Sequence, residues 1–362
     1  MPMRPFIAAL AAAVVGAAAS FATLVPSAGA QGGSARGYTT TVIATGTAIG
    51  TAIGTTVNNP DDMALFGNNL FVSFQDDSGS SGGGNSTIAE LSPTGTLLNH
   101  WTVSGRCEGL VGDPANNRLI GTVNEDGNSS LFTIDPTTSK PTLYSYSPST
   151  LPHGGGTDAV SIYNGQILIS ASNPDTTSSS YPNVPAVYVA TLSGTTATLT
   201  QLYSDGASAT VANVGPHRRT TVTLGLTDPD SNEVVPASAG RFGGAFLVNS
   251  QGDQQQVYMG GNDNSAPSGL FVLNLSQSID DTAWATDPDG TLYFADSSDN
   301  EIIAVTGHFN PGTAFVSATP GNANNAPPNP GPNYLATLDT NNGTVTAVPG
   351  VNQPPKGMLF VP

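Results

Sequence analysis

From residue 38 onward, the chain repeats short runs of Val, Ile, Leu, Phe, Tyr and Thr closed off by Gly, Pro, Asn, Asp or Ser. Leu70-Phe71-Val72-Ser73-Phe74, Gln166-Ile167-Leu168-Ile169-Ser170, Ala186-Val187-Tyr188-Val189-Ala190 and Thr291-Leu292-Tyr293-Phe294-Ala295 are examples. Bounded runs of β-branched and aromatic residues predict strands. No stretch after residue 37 carries the apolar period of an amphipathic helix, and 42 glycines and 28 prolines interrupt any helix before it nucleates. Turn clusters separate the runs, among them Phe66-Gly67-Asn68-Asn69, Asp287-Pro288-Asp289-Gly290 and Asn341-Asn342-Gly343. The expected class is all-β.

A longer pattern is superimposed: an acid, a short apolar strand, a turn, then a second apolar strand. It occurs at Asp61-Asp62 leading to Asn69–Val72, at Glu108 leading to Arg118–Thr122, and at Asp158 leading to Gln166–Ile169. Asp281 leads in the same way to Thr291–Phe294, and Gly243–Leu247 leads more weakly to Gln256–Met259. Asp62 to Glu108 is 46 positions and Glu108 to Asp158 is 50, the size of a propeller blade. Thr87–Leu91 with Gly95–Leu98, and Leu131–Asp135 with Pro141–Tyr144, supply third and fourth strands. Four strands per unit is the blade of a β-propeller. Residues 207–240 fit the repeat poorly and read as an insertion or a degenerate unit. Gly357–Val361 is a last strand, expected to pair with the segment Tyr38–Ala44 and so close the ring through the chain ends.

Composition adds location and charge. Arg4, an uncharged run from Phe6 to Leu24 and the small-residue exit Ala28-Gly29-Ala30 read as a secretory signal over residues 1–30. Residues 31–362 are then one exported domain, with no membrane attachment after cleavage. Acids number 26 against 9 bases, a net charge of −17, which excludes nucleic acid as a partner. A lone cysteine, Cys107, rules out an intrachain disulfide framework and reads as a small buried apolar side chain. The chain is expected to act as a monomer. Gln31–Arg36 is expected to be an unfolded tail and Asn322–Pro332 a mobile Pro/Asn-rich loop.

Asp281-Thr282-Ala283-Trp284-Ala285-Thr286-Asp287-Pro288-Asp289-Gly290-Thr291-Leu292-Tyr293-Phe294-Ala295-Asp296-Ser297 resembles a unit of the NHL-repeat and regucalcin/gluconolactonase-like propellers, and Pro60–Ala64 resembles the opening of another. This resemblance implies six blades of four-stranded antiparallel sheets, with five or seven also compatible. It further implies a metal at the channel mouth held by acidic and amide side chains. Glu108-Gly109 is similar to the acidic first-strand element of those lactonases, whereas Pro355-Lys356-Gly357-Met358 puts a lysine where an amide ligand is implied.

Asp62, Glu108, Asp158 and Asp281 all precede first strands, so they are the candidate ligands for Ca²⁺ or another divalent ion. The alternative is that they cap strands by accepting backbone N–H groups. His153, followed by Gly154-Gly155-Gly156-Thr157-Asp158, is a candidate acid or base held beside Asp158. Asp228-Pro229-Asp230-Ser231-Asn232 begins like a calcium loop but lacks the distal glutamate, and reads as a β-turn. The G-x-S-x-G motif of serine hydrolases is absent. The function these features favour is binding of an extracellular glycan, peptide or cell-wall component without catalysis. The alternative is a divalent-metal-dependent hydrolase, lactonase or lyase.

Overall fold

The computed structural model describes residues 34–35, 37–138, 140–262 and 269–362. The signal segment over residues 1–30 lies outside the described residues. Strands dominate, as the sequence pattern requires. One two-turn helix, Gly46–Ile53, departs from the all-strand expectation. Thr45 caps it by accepting the Ala48 N–H at 3.1 Å, and Gly54, at φ 79°, ends it.

Most sheets are meanders. Pro60–Phe66, Asn69–Phe74, Asn85–Leu91 and Leu97–Ser104 pair antiparallel in chain order. Cys107–Asp113 through Thr142–Ser147 form a second such set, and Val160–Tyr163 through Thr196–Ser204 a third. These two sets join into one eight-stranded sheet where Thr142–Ser147 runs parallel to Thr196–Ser204. Pro229–Val234 leads a further sheet through Ala245–Ser250, Gln255–Gly260 and Leu270–Asn274. Ser208–Val211 then covers its outer edge in parallel pairing. The segment 207–240 is therefore neither an insertion nor a degenerate unit. It supplies edge strands and the first strand of a sheet in which Ala245–Ser250 is the second strand and not the opening one.

The unit that most resembles a family repeat is divided between two sheets. Ile279–Trp284 pairs with Ala314–Ala318, whereas Thr291–Asp296 pairs with Met358–Val361 and Glu301–Gly307. Tyr38–Thr45 completes the latter sheet by pairing with Glu301–Gly307. Both described ends of the chain thus share one sheet, but two strands separate them, and the expected direct pairing does not form. Ser34–Ala35 pairs back on Tyr38–Thr39, so this part of the expected tail is a strand.

The burial patterns explain the radial arrangement. Asn69–Phe74 and Ala245–Ser250 are buried on both faces almost throughout, while the outer strand Leu97–Ser104 alternates buried and exposed toward its end. Strands buried on both faces need a sheet on each side. Each hydrophobic cluster accordingly joins two neighbouring sheets or, within the eight-stranded sheet, its two antiparallel sets. Ile88 and Trp101 meet Leu119, Phe132 and Ile134, and Leu168 and Val187 meet Phe246, Val248 and Val272. The first strands pack in succession around an axis, Pro60–Phe66 against Cys107–Asp113 and Val160–Tyr163 against Pro229–Val234. The fold is an all-β β-propeller.

Candidate functional site

Most first strands open with a bulge, at Pro60/Met63, Cys107/Gly109, Pro229/Asn232 and Ile279/Thr282. At or just before their starts stand Asp61, Glu108, Asp158, Asp230, Asp280 and Lys356, and all six line one cavity of about 230 Å³. Glu125 and Arg106 also face it, and Asp62 and Asp281 border it. Glycines let the strands converge here. A Cβ on Gly109 would lie 2.7 Å from Ala159 Cα, and one on Gly357 would lie 2.4 Å from the Asp61 carbonyl oxygen.

The sequence-derived candidates divide in two. Glu108 and Asp158 stand at the cavity wall as expected, 5% and 7% exposed. Asp62 and Asp281 instead turn their carboxylates onto backbone. Asp62 accepts the Met63 N–H at 2.7 Å and, across the axis contact, the Leu110 N–H at 2.6 Å. Asp281 repeats this with Thr282 at 2.7 Å and Met358 at 2.6 Å. These two acids clip consecutive first strands together. Their neighbours Asp61 and Asp280 take the places at the mouth, together with Asp230, which the turn reading had hidden. Asp228–Asn232 is not a turn, since Pro229–Val234 is a strand.

Two cations answer these acids. Lys356 Nζ meets Asp61 Oδ1, and Arg106 lies 3.4 Å from Glu108 and 3.1 Å from Glu125. Burial would lower the pKa of Lys356, but attraction to Asp61 and Asp280 outweighs it and holds the amine charged. Gln75 donates to Glu108 Oε2 at 2.9 Å and Gln251 to Asp280 Oδ1 at 2.8 Å. The Asn322 amide donates to Gln251 Oε1 at 2.8 Å, and Asn324 N–H to the Gly252 carbonyl at 2.8 Å. The start of the loop expected to be mobile is therefore tied down beside the mouth.

Crowding leaves its mark on protonation. Burial, then repulsion by Asp61 and Glu125, raises Glu108 well above the usual carboxylate range. Burial pushes Asp158 up to about 8, although a hydrogen bond from Asp230 opposes the shift. Asp230 is raised well above its ordinary value by burial, by Asp158 and by Asp280. Asp62 rises to about 7, chiefly through burial. Among the described residues, no group of three or more His, Cys, Asp or Glu side chains is arranged to hold a metal ion.

His153 is not brought to Asp158. Its ring is 1% exposed, with Nδ1 2.8 Å from the Tyr188 hydroxyl and Nε2 2.7 Å from the Gly156 carbonyl and 3.1 Å from that of Ser172. Two carbonyls at Nε2 require the proton there, so Nδ1 accepts from Tyr188. Burial lowers the His153 pKa, and the neutral ring pins the glycine loop to its neighbours. Cys107 is fully buried, and burial raises its thiol well above the ordinary value, in keeping with the apolar reading.

No protein-family description matches the chain, and no curated protein matches it. Solved structures do. A protein of unknown function from Bacteroides caccae is 11% identical with a TM-score of 0.43, over 83% of this chain and 86% of that one. A Lactobacillus plantarum protein is 13% identical, with a TM-score of 0.42 over 85% and 89% of the two chains. The β-propeller domain of Myceliophteria thermophila Cps50 (Swd1) is 9% identical, with a TM-score of 0.44 over 83% and 89%.

Proposed function

We propose that this chain is an exported, six-bladed propeller, akin to the NHL and regucalcin-like group, that binds a cationic extracellular ligand at its channel mouth without transforming it. Six blades are supported by six clusters that each join two consecutive strand sets, and by six first strands packed in succession. The observation that carries the binding reading is the cavity wall, where the carboxyl groups of Asp61, Glu108, Glu125, Asp158, Asp230 and Asp280 are answered by two cationic side chains, Arg106 and Lys356. A dehydrated ring of like charges is relieved by a positive group, as the raised pKa values of Glu108 and Asp158 express. The ligand group that fits is an ammonium, a guanidinium or a small divalent cation. Binding releases protons from Asp158 and its neighbours, so affinity rises as pH climbs toward 8.

Calorimetric titration with trilysine and with spermidine at low ionic strength tests this. Binding that weakens with salt, and is lost in Glu108→Gln with Asp158→Asn, is expected. Failure of trilysine, spermidine and Ca²⁺ alike to bind rejects the reading. A second reading rests on the Asp158–Asp230 pair, because two carboxyl groups in one cavity, both raised above their ordinary pKa by burial, can serve as an acid–base couple. In that reading Glu108 and Asp158, the two expected ligands at the cavity wall, serve a divalent metal for lactone or ester hydrolysis, while Asp62 and Asp281 stay on the backbone. A melting temperature unmoved by EDTA, Ca²⁺, Mg²⁺ or Mn²⁺, with no turnover of lactones, removes it.

A further inference from the structure

A second recess lies beside the mouth and differs from it in chemistry. It encloses about 390 Å³, and no Asp, Glu, Lys, Arg or His side chain lines it. The size is within the range of small-molecule sites, roughly 300–1,000 Å³. The recess opens where a core stripe runs out. Along Ser130–Ile134 the face toward the neighbouring sheet carries Ile134 and Phe132 in the hydrophobic cluster, and then Ser130. Ser130 stands directly across from Ser145, and Leu143, 50% exposed, lies two residues away on the same face. Ser104 and Ser149 complete the wall with Asn128. The side chains of Ser104, Asn128, Ser130, Ser145 and Ser149 make no hydrogen bond to any described residue, whereas Tyr146 and Asn124 beneath them are bonded and fixed. Five free hydroxyl and amide groups around one apolar side chain complement a neutral, hydroxyl-rich ligand, which offers donors and acceptors along its edges and C–H groups on its face.

The recess and the mouth share their wall. Gly105 and Asn124 line the recess, and the next residues in the chain, Arg106 and Glu125, line the mouth. Both lie at the same end of the strands, where Leu97–Ser104 and Arg118–Val123 finish and Cys107–Asp113 and Ser130–Ile134 begin, so a ligand laid across Gly105-Arg106 and Asn124-Glu125 spans the two. We propose that the two form one extended site for an amino-sugar oligosaccharide, with hydroxyl-bearing rings in the recess and a free amine at the acidic mouth. This rests on the cation-binding reading of the mouth and adds the identity of the ligand body.

Calorimetry with a β-1,4-linked glucosamine trimer, its N-acetylated counterpart and trilysine separates the two ideas. The glucosamine trimer is expected to bind at least about tenfold more tightly than either of the others. Ser145→Tyr, which fills the recess at an exposed position, should bring its affinity down to that of trilysine and leave trilysine untouched. Asn128→Ala should act in the same direction, and Glu108→Gln should weaken both amine-bearing probes. Unchanged melting temperatures of the recess variants exclude misfolding. A trimer that binds no better than trilysine, or is indifferent to Ser145→Tyr, overturns the extended site and leaves the mouth reading standing. If trilysine does not bind at all, it is the mouth reading that falls.

Discussion

Asp205, at the end of the strand Thr196–Ser204, is completely buried, and neither carboxyl oxygen has a hydrogen-bond partner among the described residues. The neighbouring Tyr203 hydroxyl has none either. Burial, and then repulsion by Asp253, pushes Asp205 up to about 8 from 3.8. In the folded chain the group is neutral below about pH 8, while in the unfolded chain it ionises near its ordinary value. The folded state therefore holds the extra proton across that window. The stability associated with it is complete below the unfolded pKa and drains away as pH rises through the folded one. One pH unit inside the window costs about 1.4 kcal/mol, so moving from pH 5 to pH 7 costs about 3 kcal/mol through this residue. At roughly 2 °C per kcal/mol for a chain of this size, that is about 6 °C in melting temperature. Asp205→Asn keeps the shape and cannot ionise. Thermal melts of both proteins at pH 5, 6, 7 and 8 should show the variant gaining on the parent at each step. A stability difference that stays constant with pH would refute the argument, because an ordinary titration of Asp205 is the same in both states.

Lys356→Met leaves Asp61 facing its fellow carboxylates without a counter-ion. Since the lysine is about a third exposed, a loss of about 1–3 kcal/mol in urea unfolding at pH 8 is expected, and less at pH 5, where protonation relieves the ring. Asp62→Ala and Asp281→Ala each strand two backbone N–H groups between first strands, costing about 1–3 kcal/mol. Asp62→Asn, which retains an acceptor for the Leu110 N–H, should recover most of that. Equal losses for the alanine and asparagine variants would show that the clip contributes nothing.

The local grammar of the chain carried the strands, the turns and the acids at Glu108 and Asp158, because β-branched runs bounded by Gly, Pro, Asn and Asp are readable without knowing any partner. Partner choice was not readable. Thr291–Asp296 follows Ile279–Trp284 after one short turn, as a hairpin would, yet it lies in the next sheet against Met358–Val361. Hydrogen bonds and burial from strands more than sixty residues later decide that, and no local signal records them. Pro229-Asp230 was hidden for a related reason, since Asp-Pro-Asp-Ser-Asn is turn chemistry that tertiary pairing overrides. Which acid of each Asp-Asp pair serves the mouth was also beyond the sequence. Strand side chains alternate with a period of two, so a one-residue shift exchanges the faces. The bulges at Pro60/Met63 and Ile279/Thr282 insert that shift, directing Asp61 to Lys356 and Asp280 to Gln251, and turning Asp62 and Asp281 onto backbone. Sequence determined that acids gather where first strands begin; the bulged register, set by packing around the axis, decided which of them face the cavity and which hold the ring together.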